Sequence, residues 1–220
     1  MNLLAFETAT EHMTLALQFN EALWAMEMDN DARHSKFLLP KIEELLADAG
    51  ASFTDLDGVV VGIGPGGFTG LRIGLAVAQG LSLAHQIPIY PVSSLLNVAS
   101  ACVGVEQALV VMDARMGEVY TQSFERTVTG AERHNQWRAI DDAQVLSPAD
   151  VKLPEHHDNL AVVGSGLSVY KEVFLKVFKS EVTAWNPDLM PTASQALVLR
   201  EQAVDAWALQ PNYVRNNVTH

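Results

Sequence analysis

The sequence predicts an α/β protein of two repeated lobes, each β-β-β-α-β-α around a mixed central sheet. Short runs of aliphatic and β-branched residues, bounded by turn residues, alternate with stretches of helical spacing. The order of these runs in the first half returns in the second, in pattern rather than in identity. At 220 residues and 49% hydrophobic, the chain lies between one-domain and two-domain lengths and carries enough apolar side chains for sizeable cores.

Leu3-Leu4-Ala5-Phe6 has the pattern of a buried strand, and Glu7-Thr8-Ala9-Thr10-Glu11-His12 that of a polar turn. Runs at 13–17 and 21–26 make three successive strands. From Ser35 the period changes. Leu38, Leu39, Ile42, Leu45, Leu46 and Ala49 fall on one arc of a helix that Gly50 stops, with Pro40 expected in its first turn. Then Val59-Val60-Val61-Gly62-Ile63-Gly64-Pro65-Gly66-Gly67-Phe68-Thr69-Gly70 runs from a strand through a glycine-rich bend into a helix at 71–86. A strand at 87–90 and a helix at 93–101 follow.

The pattern then restarts with a buried strand at 108–113, a turn at 115–117, an alternating strand at 119–124 and a polar third strand around 132–140. A short helix begun by Ser147-Pro148, a strand at 160–163, the loop Gly164-Ser165-Gly166 and a helix to about 178 complete it. A helix at 192–207 and an extended segment at 211–215 form the tail. The expected division is a first lobe at 1–105, completed by the tail at 192–220, and a smaller second lobe at 106–191.

Charge narrows the function. Fourteen Lys and Arg against 26 Asp and Glu give −12, without a basic run. Such a surface repels nucleic acid, whose affinity for proteins comes largely from neutralised phosphates, so work on RNA needs a basic partner. Cys102 is the only cysteine, which excludes an intrachain disulfide and a thiolate metal cage and fits a reducing compartment. The first residues have no basic n-region and no uncharged apolar run reaches membrane-spanning length, so a cytoplasmic chain with no membrane contact is expected.

The glycine bend is the foremost motif. Gly62, Gly64 and Gly67 match G-x-G-x-x-G between a strand and a helix, but no Asp or Glu stands between Asp57 and Glu106 to hold a ribose. A P-loop fails because Phe68 occupies the lysine position. Two readings stay open: close approach of strand and helix, or anion binding at the helix N-terminus. The turn with Thr8 and Thr10 either offers hydroxyls and amides to a phosphate or closes a hairpin. Asp113 either holds a metal through water or caps a turn. His34 has no histidine four residues on, and His156, His157 and Asp158 read as a solvated loop. No G-x-S-x-G supports a serine hydrolase.

Between Gly58 and Val105 the only formally charged side chain is Arg72. On the helix at 71–86, Ile73, Val77, Leu81 and Ala84 make one apolar face and Leu71, Leu75, Ala78 and Ser82 another. The first is expected to meet the sheet. The second suits either a partner or a neighbouring helix of the same lobe.

FETAT, HSKFLLPKIEELLADAG, LDGVVVGIGPGGFTGLRIGLAVAQGLSLA, PVSSL, DARMGEVY and PNYVRNNV, in that order, closely resemble the bacterial TsaB (YeaZ) family across nearly the whole chain. The resemblance implies the actin-like ATPase fold, with duplicated ASKHA, ribonuclease H-like lobes. It also implies a subunit that pairs with the catalytic TsaD and the ATPase TsaE to place threonylcarbamoyl on N6 of adenosine 37, in tRNAs reading codons that begin with adenine. TsaD-like proteins carry an H-x-x-x-H metal pair where this chain reads Pro91-Val92-Ser93-Ser94-Leu95-Leu96-Asn97, so the metal centre is absent. Glu7 stands where actin-like kinases usually have aspartate, and Gly67 where the family loop usually has serine.

On this resemblance the chain is expected to be a non-catalytic subunit without its own cofactor, ATP and metal belonging to its partners. Phe37, Leu38, Ile42, Leu45, Leu71, Arg72, Leu75, Ala78, Gln79 and Ser82 are expected to form the surface for TsaD, or for a second copy when TsaD is absent. Glu7, Thr8, Thr10, Gly64, Gly66, Gly67, Thr69, Asp113, Gly164 and Gly166 would mark a vestigial nucleotide or anion site. tRNA would be met only within the complex. The competing readings are an independent actin-like phosphotransferase, which the glycine turns favour and the missing acids and lysine oppose, and an M22-type peptidase, which lacks a metal pair and a nucleophile.

Overall fold

A computed structural model describes residues 1–29, 34–129, 134–155, 159–178 and 182–214. In chain order the strands and helices are β1 (Leu3–Glu7), β2 (His12–Phe19), β3 (Ala22–Asp29), α1 (His34–Asp48), β4 (Gly58–Gly62), α2 (Phe68–His85), β5 (Ile89–Val92) and α3 (Ser94–Ser100). They continue with β6 (Gln107–Arg115), β7 (Glu118–Thr129), β8 (His134–Ala139), β9 (Gln144–Leu146), β10 (Leu160–Val163), α4 (Gly166–Val169), α5 (Lys171–Phe178), β11 (Ala184–Asn186) and α6 (Ala193–Leu199). Contacts divide the chain into two units, Met1–Asn97 with Pro191–Asn212, and Val98–Met190 with Tyr213–His220.

In the first unit the sheet order is β3-β2-β1-β4-β5. β1, β2 and β3 are antiparallel, whereas β4 lies parallel to β1 and β5 parallel to β4. The alternation of side chains along a strand sends Leu4, Phe6, Val59 and Val61 into a core with Leu38, Ile42, Leu45, Leu75, Ala78 and Leu81 of α1 and α2. Leu3, Ala5 and Val60 point the other way, onto Ala193, Ala196 and Leu197 of α6. Burial on both faces is why β1 and β4 read as unbroken apolar runs. Pro40 lies beyond the first turn of α1, which already includes His34, and its missing N–H leaves the Lys36 carbonyl without a helical donor.

The expected helix at 192–207 ends at Leu199. Beyond it, Val204 exchanges backbone hydrogen bonds with Ile89 at the sheet edge, and Ala206 and Leu209 enter the core of α1 and α2. Extended pairing and burial there outweigh the helical spacing of the sequence.

In the second unit the sheet order is β11-β10-β6-β7-β8, with β9 also on β7. Again three antiparallel strands precede a parallel one. The strand plan of the first unit is thus repeated in the second. The first helix of the repeat shrinks to a 3-10 turn at Pro148–Asp150, opened by Ser147 as the sequence suggested. β9 and β11 are strands the sequence reading did not contain. Phe174 and Phe178 of α5 close the core over Leu109, Val111, Val119, Leu160 and Val162. The start of the expected third strand at 132, the loop of His156, His157 and Asp158, and the tail from 215 lie outside the described residues.

Candidate functional site

The glycine bend meets the first hairpin turn inside the first unit. Glu7, at the end of β1, is wholly buried. Its Oε1 accepts hydrogen bonds from the backbone N–H groups of Thr8 (2.9 Å) and Ala9 (2.8 Å), and its Oε2 accepts one from Ser94 Oγ (2.9 Å). Burial pushes the carboxyl above its ordinary range, and these three donors pull against it. Thr8, equally buried, donates from Oγ1 to the Gly70 carbonyl. Gly67 N–H donates to the Ala9 carbonyl at 2.7 Å, and Ser94 N–H to that of Gly64 at 2.9 Å. The His34 ring, also buried, places Nε2 2.8 Å from the Thr10 carbonyl oxygen and is the donor there.

This packing accounts for the glycines. A Cβ on Gly62 would fall on the Glu7 carboxylate, on Gly66 on the Ala9 carbonyl, on Gly70 on the Thr8 carbonyl and on Gly74 on Thr8 Oγ1, each nearer than 3.0 Å. The cradle is therefore full. The chain's own carboxylate and carbonyls occupy the concavity that an anion would otherwise enter. Of the open readings of this loop, close approach of backbone is the one the contacts match. Thr10 and Gly66 are half-buried at its mouth, Gly67 and Thr69 are exposed, and Gly64 is buried with φ of +90°.

The second unit repeats the arrangement in weaker form. Asp113 caps a turn: its Oδ1 accepts from Arg115 N–H at 3.0 Å and from Tyr170 Oη at 3.3 Å, and its Oδ2 lies 3.3 Å from the Arg115 guanidinium. Its own N–H donates to Ser165 Oγ. Gly164 and Gly166 are buried against the Val111 carbonyl. Among the described residues, no group of three or more His, Cys, Asp or Glu could hold a metal ion. Cys102 is a buried thiol pushed up to about 11 by that burial.

The expected division of α2 into faces is overturned. Leu71, Leu75, Ala78 and Ser82 are buried in their own unit, with Ser82 Oγ donating to the Ile87 carbonyl at 2.6 Å. The small residues of this face admit the turn at Thr8 rather than a partner. Gly70 and Gly74 belong to the same stripe, and the sequence analysis placed these two glycines on neither face. Ile73 and Val77 are half-exposed and Ala84 is exposed; only Leu81 of that set is buried. On α1, Leu38, Ile42 and Leu45 are likewise core. Of the expected partner residues, Phe37, Arg72 and Gln79 reach the surface, and Gln79 Nε2 donates to the Ala206 carbonyl.

What α2 does expose is a strip of which the sequence analysis expected only Arg72 at a partner surface. Arg72, Ala76, Gly80 and Leu83 follow one another at spacings of three and four, flanked by Thr69, Ile73, Val77 and Ala84. Arg72 lies over the Phe68 ring at 5.8 Å. Leu83 is 53% exposed, and Trp207 in the tail is 82% exposed beside a groove it lines with Leu83, Pro88 and Val204. The signal was present in the sequence as a run of small residues with almost no charge. Among the described residues no helix is long and apolar enough to cross a membrane.

Comparison with known proteins gives consistent results. A family model described as TsaD, tRNA N6-adenosine threonylcarbamoyltransferase, matches residues 29–210. A tRNA threonylcarbamoyladenosine biosynthesis protein TsaB from Haemophilus influenzae is 33% identical, over 100% of this chain and 95% of that protein. The TsaB protein of Escherichia coli K12 is 32% identical, over 99% and 96%. Among solved structures, YeaZ from Pseudomonas aeruginosa superposes with a TM-score of 0.85 at 29% identity, over 96% of this chain and 99% of that one.

Proposed function

Because this chain belongs to the TsaB (YeaZ) family of tRNA threonylcarbamoyladenosine biosynthesis proteins, we propose that it serves that pathway as a non-catalytic, cytoplasmic subunit. In this reading it binds and supports the catalytic TsaD, helps recruit TsaE and contacts tRNA only within the complex. The modified atom is N6 of adenosine 37 in tRNAs reading codons that begin with adenine. ATP and metal are held by the partners.

The observation that carries the non-catalytic part is the filled cradle. A phosphate-binding turn needs backbone N–H groups aimed at open space. Here the N–H groups of Thr8 and Ala9 are taken by Glu7, and Gly67 N–H by Ala9. The glycine bend holds strand, helix and first turn together, and the chemistry is left to TsaD.

The association surface in this proposal is the exposed strip of α2, Arg72, Ala76, Gly80 and Leu83, with exposed Leu39 and half-buried Phe37 on α1, which packs beside α2. Small residues let another backbone approach closely, and the near absence of charge removes a desolvation cost. The same strip joins two copies of the chain when TsaD is absent. The test is co-purification with TsaD from the same organism, followed by transfer of threonylcarbamoyl to tRNA in the presence of TsaE. Modification that proceeds at full rate without this chain overturns the reading, as does ATP turnover by the chain alone that is lost in Glu7→Ala.

A further inference from the structure

The two edges of the first unit's sheet are finished differently. At one edge β5 contains Pro91, and Val204 of the tail exchanges backbone hydrogen bonds with Ile89. At the other edge lies β3, and among the described residues no segment pairs with its outer side. This edge is separate from the strip of α2 proposed above, because β2 and β1 stand between it and the strands β4 and β5 on which α2 packs.

Register defines what β3 offers. The two-residue turn Asn20-Glu21 has positive φ at both positions, 49° and 67°, the geometry of a tight hairpin whose closing pair, Phe19 and Ala22, exchanges both backbone hydrogen bonds. Alternation then turns the N–H and C=O groups of Trp24, Met26 and Met28 toward β2 and those of Leu23, Ala25 and Glu27 outward. The pairing runs unbroken from Ala22 to Asp29. Sheet edges are commonly protected by a proline, a lysine or a bulge, and β3 has none of these. It also presents apolar surface: Ala22 and Ala25 are exposed, Leu23 is 59% exposed and Trp24 37%. A regular, apolar edge of this length is a template for a further strand.

We propose that β3 is a docking edge to which a partner protein adds an extended segment, apolar in its middle and basic at its ends. The outward backbone groups of Leu23, Ala25 and Glu27 supply the pairing, and side chains make the selection. Charge decides against a second copy. Two-fold antiparallel pairing about Trp24 or Ala25 brings the turn end of each copy, with exposed Glu21, beside exposed Glu27 of the other, and like charges across strands are destabilising. Each copy also carries a net charge of −12. The same two glutamates stand at either end of Leu23-Trp24-Ala25-Met26, so a strand with Lys or Arg at both ends and apolar residues between meets opposite charge where a second copy meets like charge.

Fluorescence anisotropy of the full chain with the capped, fluorescein-labelled peptide Lys-Val-Thr-Val-Thr-Val-Lys tests the assignment, and no other protein is needed. Saturable binding is expected, about tenfold weaker when glutamates replace the lysines. None is expected when alternate backbone nitrogens of the peptide are methylated, which keeps its charge and side chains but blocks strand pairing. Ala25→Pro removes an outward N–H and no hydrogen bond to β2, so it should weaken binding about tenfold while the melting temperature stays near native. Glu27→Lys should shift the preference toward the glutamate-ended peptide. Three results overturn the proposal: no saturable binding, equal binding of the methylated peptide, which means charge attraction only, or an unchanged preference in Glu27→Lys. Self-association in sedimentation that Ala25→Pro abolishes would assign the edge to a second copy and overturn it as well. If Ala25→Pro fails to fold, the methylated peptide and Glu27→Lys decide.

Discussion

Glu7 and the glycines around it show how one buried carboxylate organises a turn. Its three donors come from Thr8, Ala9 and Ser94, and burial raises its pKa against them. Between the ordinary carboxylate range and that raised value, the folded chain keeps a proton that the unfolded chain releases, so stability present at low pH is lost as pH climbs through this window. Glutamine keeps the geometry, with Oε1 accepting both amides and Nε2 facing the Ser94 hydroxyl. Glu7→Gln should therefore gain stability relative to the native chain as pH rises from 5 to 8, read as the urea midpoint at each pH; parallel midpoints at both would contradict it. Gly66→Ala is expected to cost about 2–3 kcal/mol by forcing a methyl onto the Ala9 carbonyl. Gly80→Ala, where a Cβ meets nothing within 4 Å, should be neutral or slightly stabilising by thermal melt.

At the scale of the element, α2 decides between core and interface one turn at a time. Leu75 is buried among Phe6, Val61 and Leu38, so Leu75→Glu should unfold the first unit, an unpaired buried carboxylate costing about 4 kcal/mol or more. Ala76, the next residue, is exposed, and Ala76→Glu should leave the circular dichroism melt within about 0.5 kcal/mol of native. It should nonetheless weaken association with TsaD more than a hundredfold, because about 3 kcal/mol is lost when that charge is buried in the complex. Light scattering of both variants, with and without TsaD, separates fold from association. Association intact in Ala76→Glu would move the interface off this strip. Most strands were legible because β1, β4, β6 and β10 carry apolar runs between turn residues, whereas β9 and β11, three residues each, are too short to carry a pattern. The faces of α2 were not, since Ala, Gly, Leu and Val surround the helix and periodicity has little contrast to report. The tail beyond Leu199 was misread for another reason: its spacing is helical, but pairing of Val204 with Ile89 is a tertiary effect that no local window contains. At the site, the glycine bend was visible, yet what fills it comes from residues 7–9, more than fifty positions away.

For the molecule as a whole, net charge bears on the proposed dependence on a partner for contact with tRNA. A net −12 spread over 220 residues opposes any polyanion, and phosphate contacts are the main source of affinity for RNA. Each lobe also closes its glycine turn with its own backbone, Gly66 on the Ala9 carbonyl and Gly164 on that of Val111. The isolated chain should consequently bind tRNA only weakly at physiological salt, with little change in retention as salt is lowered, because it has no basic stripe from which counterions could be exchanged. Its complex with TsaD should bind far more tightly and lose that affinity steeply as salt rises. Filter binding across a series of salt concentrations measures both slopes. Tight, steeply salt-dependent binding by the chain alone would mean that a phosphate-contacting surface exists despite the net charge, and the proposal that tRNA is met only within the complex would fall.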